Sequence, residues 1–253
     1  MTDTPLLELD AISKRFGQVL VADRLSLTVA PGSTIGIVGP NGAGKTSLFG
    51  MVSGELSVDA GDIRVDGRSV LGLDAARRAR IGIGRTHQVP RPFTGMTVFE
   101  NVLVAAQQAG GLRRKAAVSR ALDTIDETGM AQHANVVAAR LGLLSRKRLE
   151  LARALASAPR LLLLDEVAGG LTDPEVADLV VIVRAIAARG VTVIWIEHVV
   201  RALLSSVDRL LCLALGSFIA DGEPSEVLDR QDVKELFLGT DSTVEWVGSD
   251  DGH

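Results

Sequence analysis

Short segments of alternating or unbroken hydrophobic character predict several strands in the first third of the chain. LLELDAIS and LSLTVAPG each predict a strand, and a Pro-Gly turn ends the second one. STIGIVG predicts a buried strand that leads into a glycine-rich loop and then a helix ending at Gly54. A hairpin follows, because the dipeptide Asp66-Gly67 suits a two-residue turn that needs positive φ.

The pattern becomes helical from about Val89. VPRPFTGM predicts a loop, and TVFENVLVAAQQ predicts a helix with Thr97 as its N-cap and Glu100 completing a capping box. Helical periodicity continues to about Ala139. We therefore expect residues 89–140 to form an all-helical insert within an α/β domain.

Strands and helices alternate again after the insert. In chain order we predict a helix from Arg146, a strand at 161–164, a helix at 174–189, a strand at 191–196, a helix to Ser206 and a strand at 209–215. Such alternation indicates a parallel sheet with helical crossovers. From Glu223 the sequence predicts two short helices followed by a polar, mobile end.

Composition restricts the functional classes. Of 253 residues 47% are hydrophobic and the net charge is −4, which favours a folded core and disfavours general nucleic-acid binding. The lone Cys212 gives no sign of an oxidising compartment, and the acidic N-terminus does not resemble an export signal. Prolines and glycines interrupt the longest uncharged stretch, residues 25–44, so we expect any membrane role to need a partner.

GPNGAGKT, residues 39–46, fits the phosphate-loop pattern G-x-x-x-x-G-K-[ST]. Its glycines allow backbone N–H groups to surround phosphate oxygens, and the following helix directs its positive end at the same anion. Lys45 is expected to reach the β- and γ-phosphates, and the Thr46 hydroxyl to bind Mg²⁺. The predicted ATP-binding residues are Gly39, Pro40, Asn41, Gly42, Ala43, Gly44, Lys45, Thr46 and Ser47.

LLLLDE ends a predicted buried strand with two acids, Asp165 and Glu166. Ligands bind at this end of parallel strands, so Asp165 suits Mg²⁺ and Glu166 can polarise a water for attack on the γ-phosphate. Taken alone, the pair could also cap a helix at a strand–helix junction.

Further stretches resemble the ATP-binding subunits of ABC transporters over nearly the whole chain: SKRFG, RTHQ and IEH. The resemblance implies that Phe16 stacks on adenine, that Gln88 contacts Mg²⁺ and the lytic water, and that His198 contacts the γ-phosphate. Otherwise Phe16 would be a core residue, Gln88 a loop residue and His198 a helix-start residue.

The implied fold is an α/β P-loop NTPase core with a parallel sheet, an N-terminal antiparallel β subdomain and an all-helical insert. One ABC ATPase domain would span residues 1–240, with its core at 1–88 and 141–222 and its helical subdomain at 89–140. Residues 223–253 would add the short C-terminal helices and the mobile tail.

Longer stretches resemble the ATPase subunits of branched-chain amino-acid importers: RTHQVPRPFTGMTVFENVLVA, KRLELARAL and VKELFLG. This implies a peripheral subunit at the cytoplasmic face of the membrane. Its partners would be transmembrane permease subunits, a second ATPase chain (a different one or a second copy) and an extracytoplasmic substrate-binding protein. VPRPFTGM is the expected apolar docking patch for the permease.

Three alternatives stay open at this point. The first is a lipid or lipopolysaccharide export ATPase, and the second is a soluble ABC ATPase acting on ribosomes or DNA. The second usually has two ATPase modules or a long coiled-coil insert, which this chain lacks. The third is a catalytically inactive regulatory partner, which an intact set of phosphate-loop and acidic residues disfavours.

The sequence departs from the family at the signature L-S-G-G-Q, which aligns with LGLLS at 141–145. Leu143 and Leu144 add bulk where a partner subunit's phosphate would approach, and Gly142 lacks the hydroxyl. Three cations follow at residues 146–148, at the expected start of a helix, where they would either attract an anion or form a solvated basic face. We hypothesise an asymmetric ATPase pair in which this chain's own half-site is intact and its contribution to the partner's site is weak.

Overall fold

The computed structural model describes residues 4–238. Its strands are β1 (Leu7–Phe16), β2 (Val19–Val29), β3 (Thr34–Val38), β4 (Ala60–Val65), β5 (Arg68–Ser69), β6 (Ile83–Arg85), β7 (Leu161–Asp165), β8 (Thr192–Ile196), β9 (Arg209–Ala214) and β10 (Ser217–Gly222). Its α-helices are α1 (Lys45–Ser53), α2 (Ala75–Arg80), α3 (Val98–Gln108), α4 (Arg114–Glu127), α5 (Leu143–Ala156), α6 (Asp173–Ala187), α7 (Val200–Leu204), α8 (Pro224–Asp229) and α9 (Gln231–Leu238).

The strands of residues 4–238 form two sheets. The first has the order β2-β1-β4-β5 and is antiparallel throughout. The second has the order β10-β9-β3-β8-β7-β6; its pairs from β9 to β6 are parallel, and only β10 runs antiparallel to its neighbour. Strands β3 and β7, which precede the two motifs, are separated only by β8, so their carboxyl ends lie at one edge.

Strand β7 shows how the second sheet is buried on both faces. Leu161 and Leu163 belong to the core that surrounds α1 and contacts the antiparallel sheet. Leu162 and Leu164 belong to a second core, formed with helices α5 to α8. A continuous run of leucines therefore becomes a strand with alternate side chains in two cores, because successive residues point to opposite faces.

Helices α3 and α4 share a third core, which α5 completes with Leu149, Ala152 and Ala156. Two short 3₁₀ turns, Ala131–His133 and Ala138–Arg140, connect α4 to α5. The predicted helical insert at 89–140 thus depends on α5 for part of its hydrophobic core. Within the described residues, no helix is both long enough and apolar enough to cross a bilayer.

Many local predictions are confirmed, including the turn at Asp66-Gly67, where both residues have positive φ, the capping box at Thr97 and the two C-terminal helices. The predicted start of a helix at Arg146 is wrong, because α5 already begins at Leu143 with Gly142 as its N-cap. Leucine and serine are compatible with a first helical turn, so nothing delays the helix. The sequence analysis also missed α2, β6 and β10. The predicted mobile tail and the end of VKELFLG lie outside the described residues.

Candidate functional site

The glycine-rich loop between β3 and α1 is held close to neighbouring backbone. A Cβ atom on Gly39 would lie 2.0 Å from the Leu213 carbonyl oxygen, and one on Gly44 would lie 2.2 Å from the Val21 carbonyl oxygen. Gly44 has φ of 102° at the N-cap of α1. Only glycine fits these two positions, and the loop therefore folds into a cradle in front of the helix N-terminus.

Lys45 is buried inside this cradle. Its Nζ donates to the carbonyl oxygens of Gly39 at 2.7 Å and Pro40 at 3.0 Å. Burial lowers the pKa of Lys45, and the nearby charges of Glu166 and Asp165 offset that effect only in part. An ammonium in this position gains from an added anion, which is the requirement for a phosphate site.

Asp165 connects the end of β7 to the start of α1. Its Oδ1 lies 3.5 Å from Thr46 Oγ1, and its Oδ2 accepts a hydrogen bond from Arg85 Nη2 at 3.1 Å. Burial raises the pKa of Asp165, although the Arg85 guanidinium opposes this effect. The structure thus brings together two of the predicted metal ligands, Thr46 and Asp165.

Glu166 is the centre of a second group of side chains. Gln88 Nε2 donates to its Oε2 at 2.5 Å, and His198 Nε2 lies 2.8 Å from its Oε1. The hydrogen bond from His198 lowers the pKa of Glu166 despite partial burial, and Lys45 adds to the effect. Glu166 therefore stays ionised, and the structure brings it together with Gln88 and His198, the two residues that the resemblance places in the nucleotide site.

An open cleft of about 440 Å³ runs along the cradle. It is lined by Val19, Val21, Asn41, Gly42, Ala43, Gly44, Lys45, Thr46, Ser47, Gln88 and Glu166. Phe16 is half exposed and pairs across the sheet with Val19, so the reading of Phe16 as a core residue is wrong. The Lys14 ammonium lies 5.6 Å from its ring centroid. Phe16 does not line the cleft, although Val19 does, so its predicted stacking on adenine stays a prediction.

The chemistry of the donors fits MgATP. The cradle supplies backbone N–H groups and one ammonium, while Thr46 and Asp165 supply hard oxygen atoms side by side. Magnesium takes few protein ligands and completes its coordination with phosphate oxygens and water. Gln88 bonds to Glu166 in this structure, so its predicted role as a metal ligand stays a prediction.

Sequence reasoning missed three charged residues that support the site. Arg85 pairs with Asp165, Lys147 donates from Nζ to the Glu166 carbonyl oxygen at 2.9 Å, and Glu197 is buried next to His198. Arg85 and Glu197 stand in RTHQ and IEH, the two stretches that had drawn attention to Gln88 and His198. The available signal for Arg85 and Glu197 was a charged residue at the end of an apolar strand.

The three cations after the altered signature have protein partners. Arg146 donates to the Ala139 carbonyl oxygen, Lys147 is buried, and Arg148 pairs with Asp178 at 3.2 Å. The expectation of a solvated basic face is therefore wrong for Lys147, because this residue lies on the buried side of α5, where its Nζ donates to the Glu166 carbonyl oxygen. Leu143 is 48% exposed at the helix start and presents apolar surface instead of a glycine backbone.

A second, more apolar groove of about 330 Å³ lies between β6, α3 and α5, and Phe93 and Arg153 are among its lining residues. The Arg153 guanidinium lies 5.0 Å from the Phe93 ring centroid. His87, immediately before Gln88, forms one wall and contacts Glu150 at 2.9 Å and Glu55 at 3.5 Å. These hydrogen bonds raise the pKa of His87 to about 9, so the imidazolium links the sheet to α5.

Comparison with known proteins gives a consistent result. Residues 22–169 match the family model described as ABC transporter. The chain is 34% identical to the high-affinity branched-chain amino acid transport ATP-binding protein BraF of Pseudomonas aeruginosa, covering 93% of this chain and 98% of BraF. It is 33% identical to the corresponding LivG protein of Escherichia coli, with the same coverage of each chain.

Solved structures agree with the sequence relatives. A nucleotide-free ATP-binding cassette from an ABC transporter matches with a TM-score of 0.86 at 26% identity, covering 93% of this chain and all of the other. The ADP conformation of the ATP-binding cassette MJ1267 matches with a TM-score of 0.85 at 27% identity, covering 93% and 99% of the two chains.

Proposed function

Because this chain belongs to the ABC transporter family, as an ATP-binding subunit, we propose that it hydrolyses MgATP at the site between residues 39–47 and Glu166 to drive transport. The convergence of the Lys45 cradle with Asp165 and Glu166 carries the proposal, since these segments come together only in the folded chain. The same convergence argues against the catalytically inactive regulatory partner, because Lys45, Asp165 and Glu166 are all in place.

Each side chain has a defined part in this proposal. Lys45 and the cradle bind the β- and γ-phosphates, while Thr46 and Asp165 hold Mg²⁺, which neutralises charge on the phosphate oxygens. Glu166 is ionised and polarises the attacking water, and His198 and Gln88 orient its carboxylate. Phe16 covers the base at the edge of the cleft.

The decisive measurement is ATP turnover by the purified transport complex after Glu166→Gln. We expect turnover to fall by about a hundredfold or more while ATP is still bound, since the amide keeps the shape and loses the base. Glu226→Gln on α8 is the matched control, because Glu226 is exposed and distant in sequence from the site. Wild-type turnover in Glu166→Gln would refute the assignment of the base.

The cargo that we propose is a branched-chain amino acid or a similar small polar molecule, moved inward. High-affinity transport proteins for branched-chain amino acids are similar to this chain over 93% of its length. Affinity purification from native membranes should recover a permease, a second ATPase and an extracytoplasmic binding protein. Radiolabelled leucine uptake should then require Lys45. Recovery of a lipid-export permease instead would transfer the chain to the export alternative.

We place the permease contact at the groove beside Phe93, which would hold the subunit at the cytoplasmic face of the membrane. The groove joins the loop carrying Gln88 to α5, so a segment bound there would act on both sides of the Glu166 site. Phe93→Asp should release the subunit from the permease, whereas Leu215→Asp, at an exposed turn elsewhere, should not. Equal retention of both variants by the permease would exclude this contact.

We also propose that the ATPase pair is asymmetric. Leu143 and Leu144 replace the residues with which the family approaches the partner's phosphate, while the chain's own acids, Lys45 and His198 are in place. Glu166→Gln in this chain should therefore reduce turnover far more than the same change in the partner ATPase. Equal reductions would show that both sites hydrolyse ATP.

A further inference from the structure

The carboxyl group of Glu197 is buried behind the loop that follows Glu166. Its side chain is 1% exposed, and Oε1 accepts hydrogen bonds from the Ala168 backbone N–H at 2.6 Å and the Trp195 indole N–H at 3.1 Å. Oε2 has no hydrogen-bond partner within residues 4–238. A buried carboxyl that is only half satisfied is costly, so its presence next to His198 needs an explanation.

Lys147 holds the same loop from the direction of α5. Its Nζ donates to the Glu166 carbonyl oxygen at 2.9 Å, and its charge also acts on Glu197. Lys147 is itself buried, so its ammonium takes the place of solvent on this side of the loop. The backbone from Glu166 to Ala168 is thus fixed at its first carbonyl by a cation and at its third N–H by a carboxyl group.

The loop needs such fixation because Glu166 adopts an unfavourable backbone conformation. Its φ is 48°, in the left-handed region, while its N–H donates to the Ile196 carbonyl oxygen at 2.9 Å. A residue with a side chain stays in this region only where surrounding contacts impose it. This conformation places the Glu166 carboxylate between Gln88 and His198.

We propose that Glu197 is a positioning residue for ATP hydrolysis, which acts through the Ala168 backbone to keep Glu166 in its left-handed conformation. Lys147 is its counter-charge on α5. Glu197 does not line the cleft, and its side chain reaches the reacting groups only through the loop. The proposal rests on the base role of Glu166 given above. It adds a direct connection from the helical part of the molecule to that base.

The test compares Glu197→Leu with Glu197→Gln in the assembled complex, measuring kcat and KM for ATP. Leucine removes the acceptor for the Ala168 N–H, so we expect kcat to fall at least about tenfold with KM changed by less than about twofold. Glutamine keeps an acceptor oxygen and should restore kcat to within about threefold of the wild type. Lys147→Met removes the other anchor and should show the same loss of kcat.

The control is Thr192→Val, which removes a buried acceptor for the Gly32 N–H at the opposite end of β8. It should lower the melting temperature and leave kcat unchanged.

Wild-type kcat in a folded Glu197→Leu protein would overturn the proposal. So would a Glu197→Gln protein as slow as Glu197→Leu. If Glu197→Leu does not fold, Lys147→Met takes its place: we expect a loss of kcat in Lys147→Met, and wild-type kcat in a folded Lys147→Met protein would overturn the proposal. If Glu166→Gln has wild-type turnover, the base assignment fails first, independently of Glu197.

Discussion

Adjacent acids in the site are adjusted in opposite directions by their surroundings. Burial raises the pKa of Asp165 with opposition from Arg85, whereas the hydrogen bond from His198 lowers the pKa of Glu166. Asp165 therefore gains from a cation, and Glu166 remains a negatively charged base. Residues one position apart in the chain can have different roles because one side chain contacts Thr46 and the other faces His198.

Arg85 provides a direct test of the Asp165 environment. Arg85→Met leaves the Asp165 carboxylate, which is 1% exposed, without its cation, so we expect the free energy of unfolding to fall by about 3 kcal/mol. Mg²⁺ with ATP should restore part of this loss. Urea unfolding with and without MgATP measures both the loss and its restoration. Arg24→Met is the control, since the Arg24 side chain is 81% exposed. Equal effects of the two substitutions would contradict the prediction.

Glu197 predicts a pH effect on stability. Burial raises the pKa of Glu197 to about 7, against hydrogen bonds from Ala168 and Trp195 and the charge of Lys147; the Glu166 charge adds to the increase. The folded protein therefore binds the Glu197 proton more tightly than the unfolded chain does. The contribution of Glu197 to the free energy of unfolding is therefore present at low pH and is lost as the pH rises through about 7. We expect this loss to be about 2–3 kcal/mol between about pH 5 and pH 8.

The measurement is the free energy of unfolding in urea at several pH values for the wild type and Glu197→Gln. The wild type should lose stability relative to the variant as the pH rises, because glutamine does not titrate. Contributions from titrating groups that do not interact with Glu197 cancel in the difference between the two proteins. Parallel curves would mean that Glu197 has an ordinary pKa.

Among the elements, α3 fixes the loop that contains Phe93. The helix begins with the capping box of Thr97 and Glu100, and Asn101 is fully buried in its first turn. The Asn101 amide accepts from the Phe93 N–H at 2.8 Å and donates to the carbonyl oxygens of Phe93 and Thr97. The proposed permease groove thus depends on one amide that connects the helix to the loop.

Removing this amide should loosen the loop before it unfolds the domain. Asn101→Ala leaves the Phe93 N–H and the loop carbonyl groups without their hydrogen-bond partner, so we expect the free energy of unfolding to fall by about 2–3 kcal/mol. Hydrogen exchange at Phe93 should accelerate strongly, while exchange in β8 changes only as far as global stability does. Gln107→Ala, at an exposed position of the same helix, is the control. Unchanged exchange at Phe93 would show that the loop does not depend on Asn101.

For the molecule as a whole, the site joins segments that are 119 residues apart at Thr46 and Asp165. The nucleotide therefore connects the phosphate loop, β7 and the loop before the helical part of the chain. Binding at such a junction stabilises the native state in proportion to the logarithm of the ligand concentration.

MgATP should accordingly raise the melting temperature. At a free MgATP concentration of about a hundred times the dissociation constant, we expect the free energy of unfolding to rise by about 2.7 kcal/mol. This corresponds to an increase in melting temperature of about 5–10 °C for a chain of this size. Thermal unfolding of Glu166→Gln, which binds without hydrolysing, measures the effect. Adding Lys45→Ala should abolish it, and AMP should give a much smaller shift. A shift that persists without Lys45 would place the nucleotide elsewhere.

Elements with local geometry could be predicted from the amino-acid sequence alone. The glycine-rich pattern at 39–46, the strand before it and the helix after it predict a phosphate cradle from local sequence, whereas the fold brings up the carbonyl groups of Leu213 and Val21 that leave room only for glycine at 39 and 44. The capping box at Thr97 and the turn at Asp66 are predicted locally as well, because they involve only residues a few positions apart. The acid pair and the resemblance then indicated ATP hydrolysis and the family.

The contacts between charged residues, by contrast, could be seen only in the folded chain. Three hydrogen bonds join separate elements: Arg85 to Asp165, Lys147 to the Glu166 carbonyl oxygen, and the Ala168 N–H to Glu197. Burial determines the strength of these hydrogen bonds. Whether a cation faces solvent or the protein interior depends on how its helix packs, as the burial of Lys147 on α5 shows. Local sequence does not contain that information, because desolvation is a property of the assembled fold.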